Sequence, residues 1–200
     1  MLTIGVTGGI GTGKSTVARI LERIGAKLVI ADDVAKEIVK RGMPAYEKIV
    51  SEFGDEILDR ERNIDRKKLG NIVFADKSRL SVLNQITHGI VAEEIRLKLE
   101  QFMKENSKLV VIEAIVPIKH GFLDLVDSVW VVIAPEAVRI ERIVKRNGVS
   151  CFDAKQRIRS QMSDEEYKSI ADKVIYNDGS FEELEAKVWD ILKDENYSMS

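Results

Sequence analysis

The residues best suited to chemistry stand together near the start of the chain, as Gly8-Gly9-Ile10-Gly11-Thr12-Gly13-Lys14-Ser15. The spacing Gly-x-x-x-x-Gly-Lys-Ser is that of a P-loop. Glycines allow successive backbone N–H groups to turn inward around phosphate oxygens with no Cβ in the way. A helix beginning near Lys14 would aim its free N–H groups and positive dipole end at the same anion. Lys14 can then reach the β- and γ-phosphates, and the Ser15 hydroxyl can ligate Mg²⁺. The flanks agree: Leu2 to Thr7 reads as a buried strand, and Val17, Ala18, Ile20, Leu21 and Ile24 fall on one helical face. The pattern predicts a nucleoside triphosphate site, rather than a glycine turn that merely joins two elements.

Acids stand at the ends of two further strand-like runs. Lys27-Leu28-Val29-Ile30-Ala31 closes on Asp32-Asp33, and Leu109-Val110-Val111-Ile112 closes on Glu113. In an open α/β sheet the carboxyl ends of the strands face the ligand. Asp32 is thus a candidate to act on a substrate, while Asp33 could equally be a helix cap. Glu113 is placed to hold Mg²⁺, directly or through water, or is simply an exposed strand-end acid. Arg139, Arg142 and Arg146 share one helical face, either as a solvated row or as a clamp on several phosphates. His88, one of two histidines, reads on its own as a helix-surface residue.

These groups need a scaffold, and the hydrophobic pattern supplies one. Val129 to Ile133 and Lys173 to Asn177 complete a set of five short strands, and helical stretches separate them. Alternating strands and helices predict an α/β fold with a five-stranded parallel sheet covered on both faces. From Ala45 to Asn106 the apolar spacing is helical without a strand run, which predicts an all-helical insertion beside the sheet. Gly25 is the expected end of the first helix, Gly42-Met43-Pro44 breaks the second, and Asn147-Gly148 turns the chain. Ala154, Ile158 and Met162 mark a helix that presents Arg157 and Gln161. Phe181 to Leu192 forms the final helix behind a Ser180 cap, and the tail from Glu195 to Ser200 is expected to fray.

Bulk composition narrows the class. With 200 residues, 44% hydrophobic and 32% charged, the chain can bury a sizeable core within one domain. A net charge of −2 gives no bias toward nucleic acid or an anionic membrane. The single Cys151 excludes a disulfide framework or a cysteine-rich metal site. There is no run of transmembrane length and no signal-peptide pattern, so a cytoplasmic enzyme is expected. The GTPase motifs Asp-x-x-Gly and Asn-Lys-x-Asp and the transporter signature Leu-Ser-Gly-Gly-Gln do not occur.

A P-loop, a helical insertion after the second strand and an arginine-rich hairpin after the fourth together resemble the nucleoside- and nucleotide-kinase group of the P-loop NTPase three-layer fold. In that group the insertion holds the acceptor and the hairpin is a lid over ATP. The detail is similar to the dephospho-CoA kinase family, over nearly the whole chain. The start Thr7-Gly8-Gly9-Ile10-Gly11-Thr12-Gly13-Lys14-Ser15, then Ala31-Asp32 with Ala35, Arg142 with Arg146, Arg157-Ile158 with Gln161, and Ala171-Asp172 through Asn177-Asp178-Gly179-Ser180 follow the family's motifs in order. The sequence departs from them at Ile30, where an acid is usual, at Gly89, where Pro follows the histidine, and over residues 114–119.

The resemblance implies a core of about residues 1–32, 107–145 and 172–194, an acceptor-binding insertion over about 33–106 and a lid over about 146–171. It implies transfer of the γ-phosphoryl group of ATP to the ribose 3′-hydroxyl of dephospho-CoA, the last step of coenzyme A synthesis. Gly11, Thr12, Gly13, Lys14, Ser15, Thr16, Arg142, Arg146, Asn177 and Gly179 would bind ATP. Asp32 would orient the hydroxyl, with Lys14 and Arg142 neutralising the transferring group. Asp32, His88, Glu113, Arg157 and Gln161 would meet the acceptor, and Mg²⁺ would sit on Ser15 and, through water, on Glu113. A monomer or small homo-oligomer with no nucleic-acid or membrane partner is implied. Two other readings stay open on the residues alone: another small-molecule kinase, or a P-loop ATPase that drives a partner.

Overall fold

A computed structural model of the chain describes residues 1–116 and 122–195. Five strands, β1 (Leu2–Thr7), β2 (Lys27–Ile30), β3 (Leu109–Glu113), β4 (Ser128–Ile133) and β5 (Lys173–Tyr176), form one sheet in the order β2-β3-β1-β4-β5. All four pairings are parallel. Every residue of β3 and β4 is buried, which is why these strands read as continuous rather than alternating apolar runs. Register decides the site: Glu113 lies opposite both Val6 of β1 and Ile30 of β2. The glycine loop after β1, the acids after β2 and the acid closing β3 therefore emerge at one edge of the sheet.

One face of the sheet carries α1 (Lys14–Arg23) and α9 (Phe181–Asp194), packed on Ile4, Val6, Val111, Trp130 and Val132. Gly25 at φ 102° follows the end of α1; its N–H donates to the Glu22 carbonyl and that of Ala26 to the Leu21 carbonyl. Those two bonds are a Schellman closure. The other face carries α2 (Ala31–Glu37), α3 (Pro44–Phe53), α4 (Arg66–Ala75) and α5 (Lys77–Lys104), all inserted between β2 and β3. Ile38, Ile49, Ile57 and Ile95 of this insertion share one cluster with Val29, Val110 and Ile112 of the sheet. Each fully buried isoleucine contributes roughly 1.5–3 kcal/mol. The insertion is thus part of the core, not a lobe standing beside it.

After β4 come α6 (Glu136–Asn147), α7 (Cys151–Arg159) and α8 (Asp164–Lys168). Helices α6 and α7 meet through Ile143, Ala154 and Ile158, with Ile10 of the glycine loop packed against them. Tyr167 of α8 packs on Val129, Val131 and Ile133. Ser163 and Ser180 cap α8 and α9 in reciprocal boxes with Glu166 and Glu183, each such cap being worth about 1 kcal/mol. Cys151 is exposed at the start of α7.

The structure revises several sequence expectations. Strand β2 stops at Ile30 and α2 starts at Ala31, so Asp32 and Asp33 stand in the first turn of a helix rather than at a strand end. The cap position is Ile30, without a side-chain bond; Asp33 is no cap, and its carboxylate pairs with Lys36 at 2.6 Å. Acids in a first turn complement the helix dipole, which suits both positions. The helical stretch after Ala45 is interrupted where Gly54 turns at φ 80° into a short 3₁₀ turn, and Leu58 and Ile64 form an isolated antiparallel bridge. Helix α7 ends at Arg159, leaving Gln161 and Met162 in the following turn. Glu195 is held rather than frayed, because Ser128 Oγ donates to its carboxylate at 2.7 Å. Residues 196–200 of the tail, and residues 117–119 of the stretch that departs from the family motif, lie outside the described residues.

Candidate active site

The loop between β1 and α1 is shaped by what surrounds it. Gly8 has φ 145°, and a Cβ there would stand 2.4 Å from the Val132 carbonyl oxygen. Gly13 has φ 98°, and a Cβ there would stand 2.1 Å from Asn177 Nδ2. Both glycines are required by close approach as well as by backbone conformation. Thr12 is fully buried and its hydroxyl donates to the Gly9 carbonyl at 2.9 Å, which fixes the loop's curl from inside.

Two side chains brace the same loop from outside. Arg142 Nη1 donates to the carbonyls of Gly11 (3.2 Å) and Thr12 (3.3 Å), and Nη2 to Asn177 Oδ1 (3.4 Å). Buried Asn177 donates from Nδ2 to the Thr12 carbonyl at 2.8 Å. With its carbonyls turned out toward these donors, the loop is free to turn N–H groups inward. The cleft beside it, about 330 Å³, is lined by Gly11, Gly13 to Thr16, Arg142, Arg146, Asn177, Gly179, Phe181 and Leu184. Its lining combines the polar residues of the loop with an aromatic ring and a leucine.

Lys14 is 8% exposed at the start of α1. Burial pushes its pKa below the usual lysine value, against the pull of Glu113 and Asp32; Arg146 and Arg139 push the same way as burial. A largely desolvated ammonium whose charge is supported by two carboxylates, Glu113 and Asp32, is poised for an anion. Ser15 Oγ donates to Glu113 Oε1 at 2.5 Å, so the hydroxyl and the buried carboxylate already face one another. Lys14, Ser15, Asp32, Glu113 and Arg146 all line a second cavity of about 250 Å³.

Asp32 also lines a third cavity, of about 220 Å³, with Ala31, Ala35, Thr87, His88, Val91, Ala114, Val116 and Phe122. This carboxylate is therefore common to the walls of both. His88 is on α5, and partial burial pushes its imidazole pKa below the ordinary histidine value. Apart from Asp32 and the His88–Thr87 pair, that third cavity is apolar.

The structure brings together Gly11, Gly13, Lys14, Ser15, Thr16, Arg142, Arg146, Asn177 and Gly179 around the first cavity, and Asp32 with Glu113 or with His88 around the others. Thr12 turns inward on the loop itself. Arg157 is exposed on α7 and lines none of these three cavities. Gln161 faces the loop, its Oε1 accepting from the Ile10 N–H at 2.7 Å. Sequence reasoning missed Phe181 and Leu184, which line the first cavity, and read Arg139 only as one of a row of arginines, solvated or clamping phosphate, whereas it is 4% exposed against the loop. Phe181 directly follows the Ser180 cap, so its place beside Gly179 was a usable signal; the burial of Arg139 left none.

Comparison with known proteins agrees with this geometry. The family model for dephospho-CoA kinase matches residues 2–183. A dephospho-CoA kinase of Carboxydothermus hydrogenoformans is 43% identical over 190 residues, which is 95% of this chain and 92% of that protein. Among solved structures, a dephospho-CoA kinase from Campylobacter jejuni superposes with a TM-score of 0.70 at 31% identity, covering 96% of each chain. A Thermus thermophilus protein, TT1252, gives a TM-score of 0.79, also at 31% identity, over 96% of this chain and 97% of that one. With phosphate loop, flanking carboxylates and full-length likeness in accord, the chain belongs to the dephospho-CoA kinase family.

Proposed function

We propose that the chain transfers the γ-phosphoryl group of ATP to the ribose 3′-hydroxyl of dephospho-CoA, giving coenzyme A and ADP. The observation that carries this reading is the double position of Asp32, on the wall of the cavity that holds Lys14 and Ser15 and on the wall of the cavity that holds His88. A carboxylate shared by a phosphate site and an acceptor site is where an alcohol must be oriented toward phosphorus.

The triphosphate lies along residues 11–16, with the base against Phe181 and Leu184 near Asn177 and Gly179. Lys14, Arg142 and Arg146 take up charge on the transferring group, an effect worth several kcal/mol in a site that excludes water. Asp32 accepts a hydrogen bond from the 3′-hydroxyl, aims its oxygen in line and receives the proton late. The insertion, residues 33–106, binds the acceptor, with His88 and the apolar wall around Phe122 in contact with it. Residues 146–171 act as the lid, and Arg157 reaches substrate only when that lid closes.

Ser15 and Glu113 suit Mg²⁺: a hydroxyl and a buried carboxylate already in contact, with the remaining ligands left to phosphate and water. Among the described residues no three His, Cys, Asp or Glu side chains converge as a metal site. When bound, Mg²⁺ neutralises charge across the β- and γ-phosphates. No helix among the described residues is long and apolar enough to cross a membrane.

An assay of ADP release across dephospho-CoA, nucleosides and nucleoside monophosphates tests the reading. ADP release should depend on dephospho-CoA, with the product phosphorylated at the 3′ position. Preference for a nucleoside or a monophosphate would point to another small-molecule kinase, and steady turnover with no acceptor to a partner-driven ATPase.

A further inference from the structure

The peptide groups around Ile10 are gripped on both sides. The Ile10 carbonyl accepts from Arg139 Nε at 3.0 Å, and its N–H donates to Gln161 Oε1 at 2.7 Å. The same guanidinium donates from Nη1 to Asp164 Oδ1 at 3.1 Å. Gln161 lies in the connection by which the chain returns from α7 into α8 and Asp164 opens α8, whereas Ile10 belongs to the phosphate loop.

Arg139 is 4% exposed, and its Nη2 is buried without a hydrogen-bond partner. A Cβ on Gly9 would stand 2.2 Å from that Nη2, and one on Gly11 2.9 Å from the Arg139 carbonyl oxygen. The loop therefore lies in contact with the base of α6 at this residue. A buried cation with one half-exposed carboxylate partner and an unpaired N–H is not favourable for folding alone. Its position directly behind a loop built for polyphosphate offers a compensating use.

We infer that Arg139 is a positioning residue for nucleotide binding, acting with Asp164 and Gln161. Its fork fixes the Ile10 peptide, and with it the direction of the amides at Gly11, Thr12 and Gly13. Because the fork's other end is held by Asp164, the state of the α7–α8 connection is passed to the phosphate loop. Lysine preserves the charge at this position but not a planar fork able to reach Ile10 and Asp164 together. Nothing here requires Arg139 to touch the nucleotide. The inference rests on the loop binding ATP, and deepens that reading.

The test compares Arg139→Lys, Asp164→Asn, Gln161→Met and the Arg139→Lys/Asp164→Asn double variant with the wild type. Calorimetric titration with ATP, steady-state kinetics and thermal melting are read for each. Arg139→Lys should weaken ATP binding about tenfold, as expected for loss of a charge-assisted fork, while KM for dephospho-CoA stays near wild type. Asp164→Asn and Gln161→Met, at half-exposed positions that should fold even if Arg139→Lys does not, should each weaken ATP binding about threefold. The double variant should be no weaker than Arg139→Lys alone, because both changes break one link. Wild-type ATP affinity in Asp164→Asn and Gln161→Met would overturn the inference, as would strictly additive effects in the double variant. A wild type that itself fails to bind ATP would overturn the nucleotide reading as well.

Discussion

The phosphate-loop side and the insertion side of this molecule are built differently. Around the phosphate loop nearly every polar group is committed: Thr12 to Gly9, Asn177 and Arg142 to the loop carbonyls, Arg139 and Gln161 to Ile10. Around the cavity of Asp32 and His88 the walls are mostly alanine, valine and phenylalanine, and two cavities meet at one carboxylate. Preorganised donors suit a polyanion that arrives with the same shape every time, whereas a long, flexible acceptor is better met by an apolar recess with few fixed polar points. On the proposed function, the difference teaches that the chemistry is fixed on the loop side and selectivity is left to the insertion.

Substitutions can break or sharpen that contrast. The largest effect should come from Lys14→Ala, which removes a buried cation from the loop's mouth; kcat/KM for ATP should fall by about 10³-fold or more. Asp32→Asn should come next, lowering kcat by about 10²-fold or more with little change in ATP affinity. Near-normal kcat in that variant would remove the carboxylate from its orienting role. Asn177→Ala leaves the buried Thr12 carbonyl short of a donor, a loss of about 1–3 kcal/mol that should appear as a higher KM for ATP with KM for the acceptor unchanged. If the acceptor constant moved equally, the two halves would not be separable as described.

The smallest effect concerns pH. Burial lowers the Lys14 pKa, so the free enzyme loses this charge at a pH below the range where an exposed lysine would. The alkaline limb of kcat/KM for ATP should therefore begin early. That of kcat should begin later, since bound phosphate favours the charged ammonium. Coincident limbs would argue against Lys14 as the titrating group.

The two sides also differed in legibility. The phosphate loop could be read from spacing alone, because glycine, lysine and serine each have a separate physical reason to be there and all lie within eight consecutive residues. The sheet was equally plain, since its buried strands are unbroken apolar runs. What could not be read was convergence over long separations. Arg139 lies 129 positions from the carbonyl it holds, and nothing in a row of three arginines tells which one is buried. The first turn of α2 was misread because Ala31-Asp32-Asp33 suits a strand end and a helix start alike, and only pairing with β3, which stops at Ile30 opposite Glu113, decides it. The short α8 escaped notice because five residues hold too little periodicity to register.

Cys151 has a practical consequence. It is the one thiol in the chain, and it stands exposed on the first residue of α7, outside the lining of the nucleotide cavity. The part of the molecule expected to swing over ATP thus carries a natural handle. A nitroxide or fluorophore attached there, with no other sulfhydryl to mask, would let that swing be watched in solution as nucleotide and acceptor are added in turn.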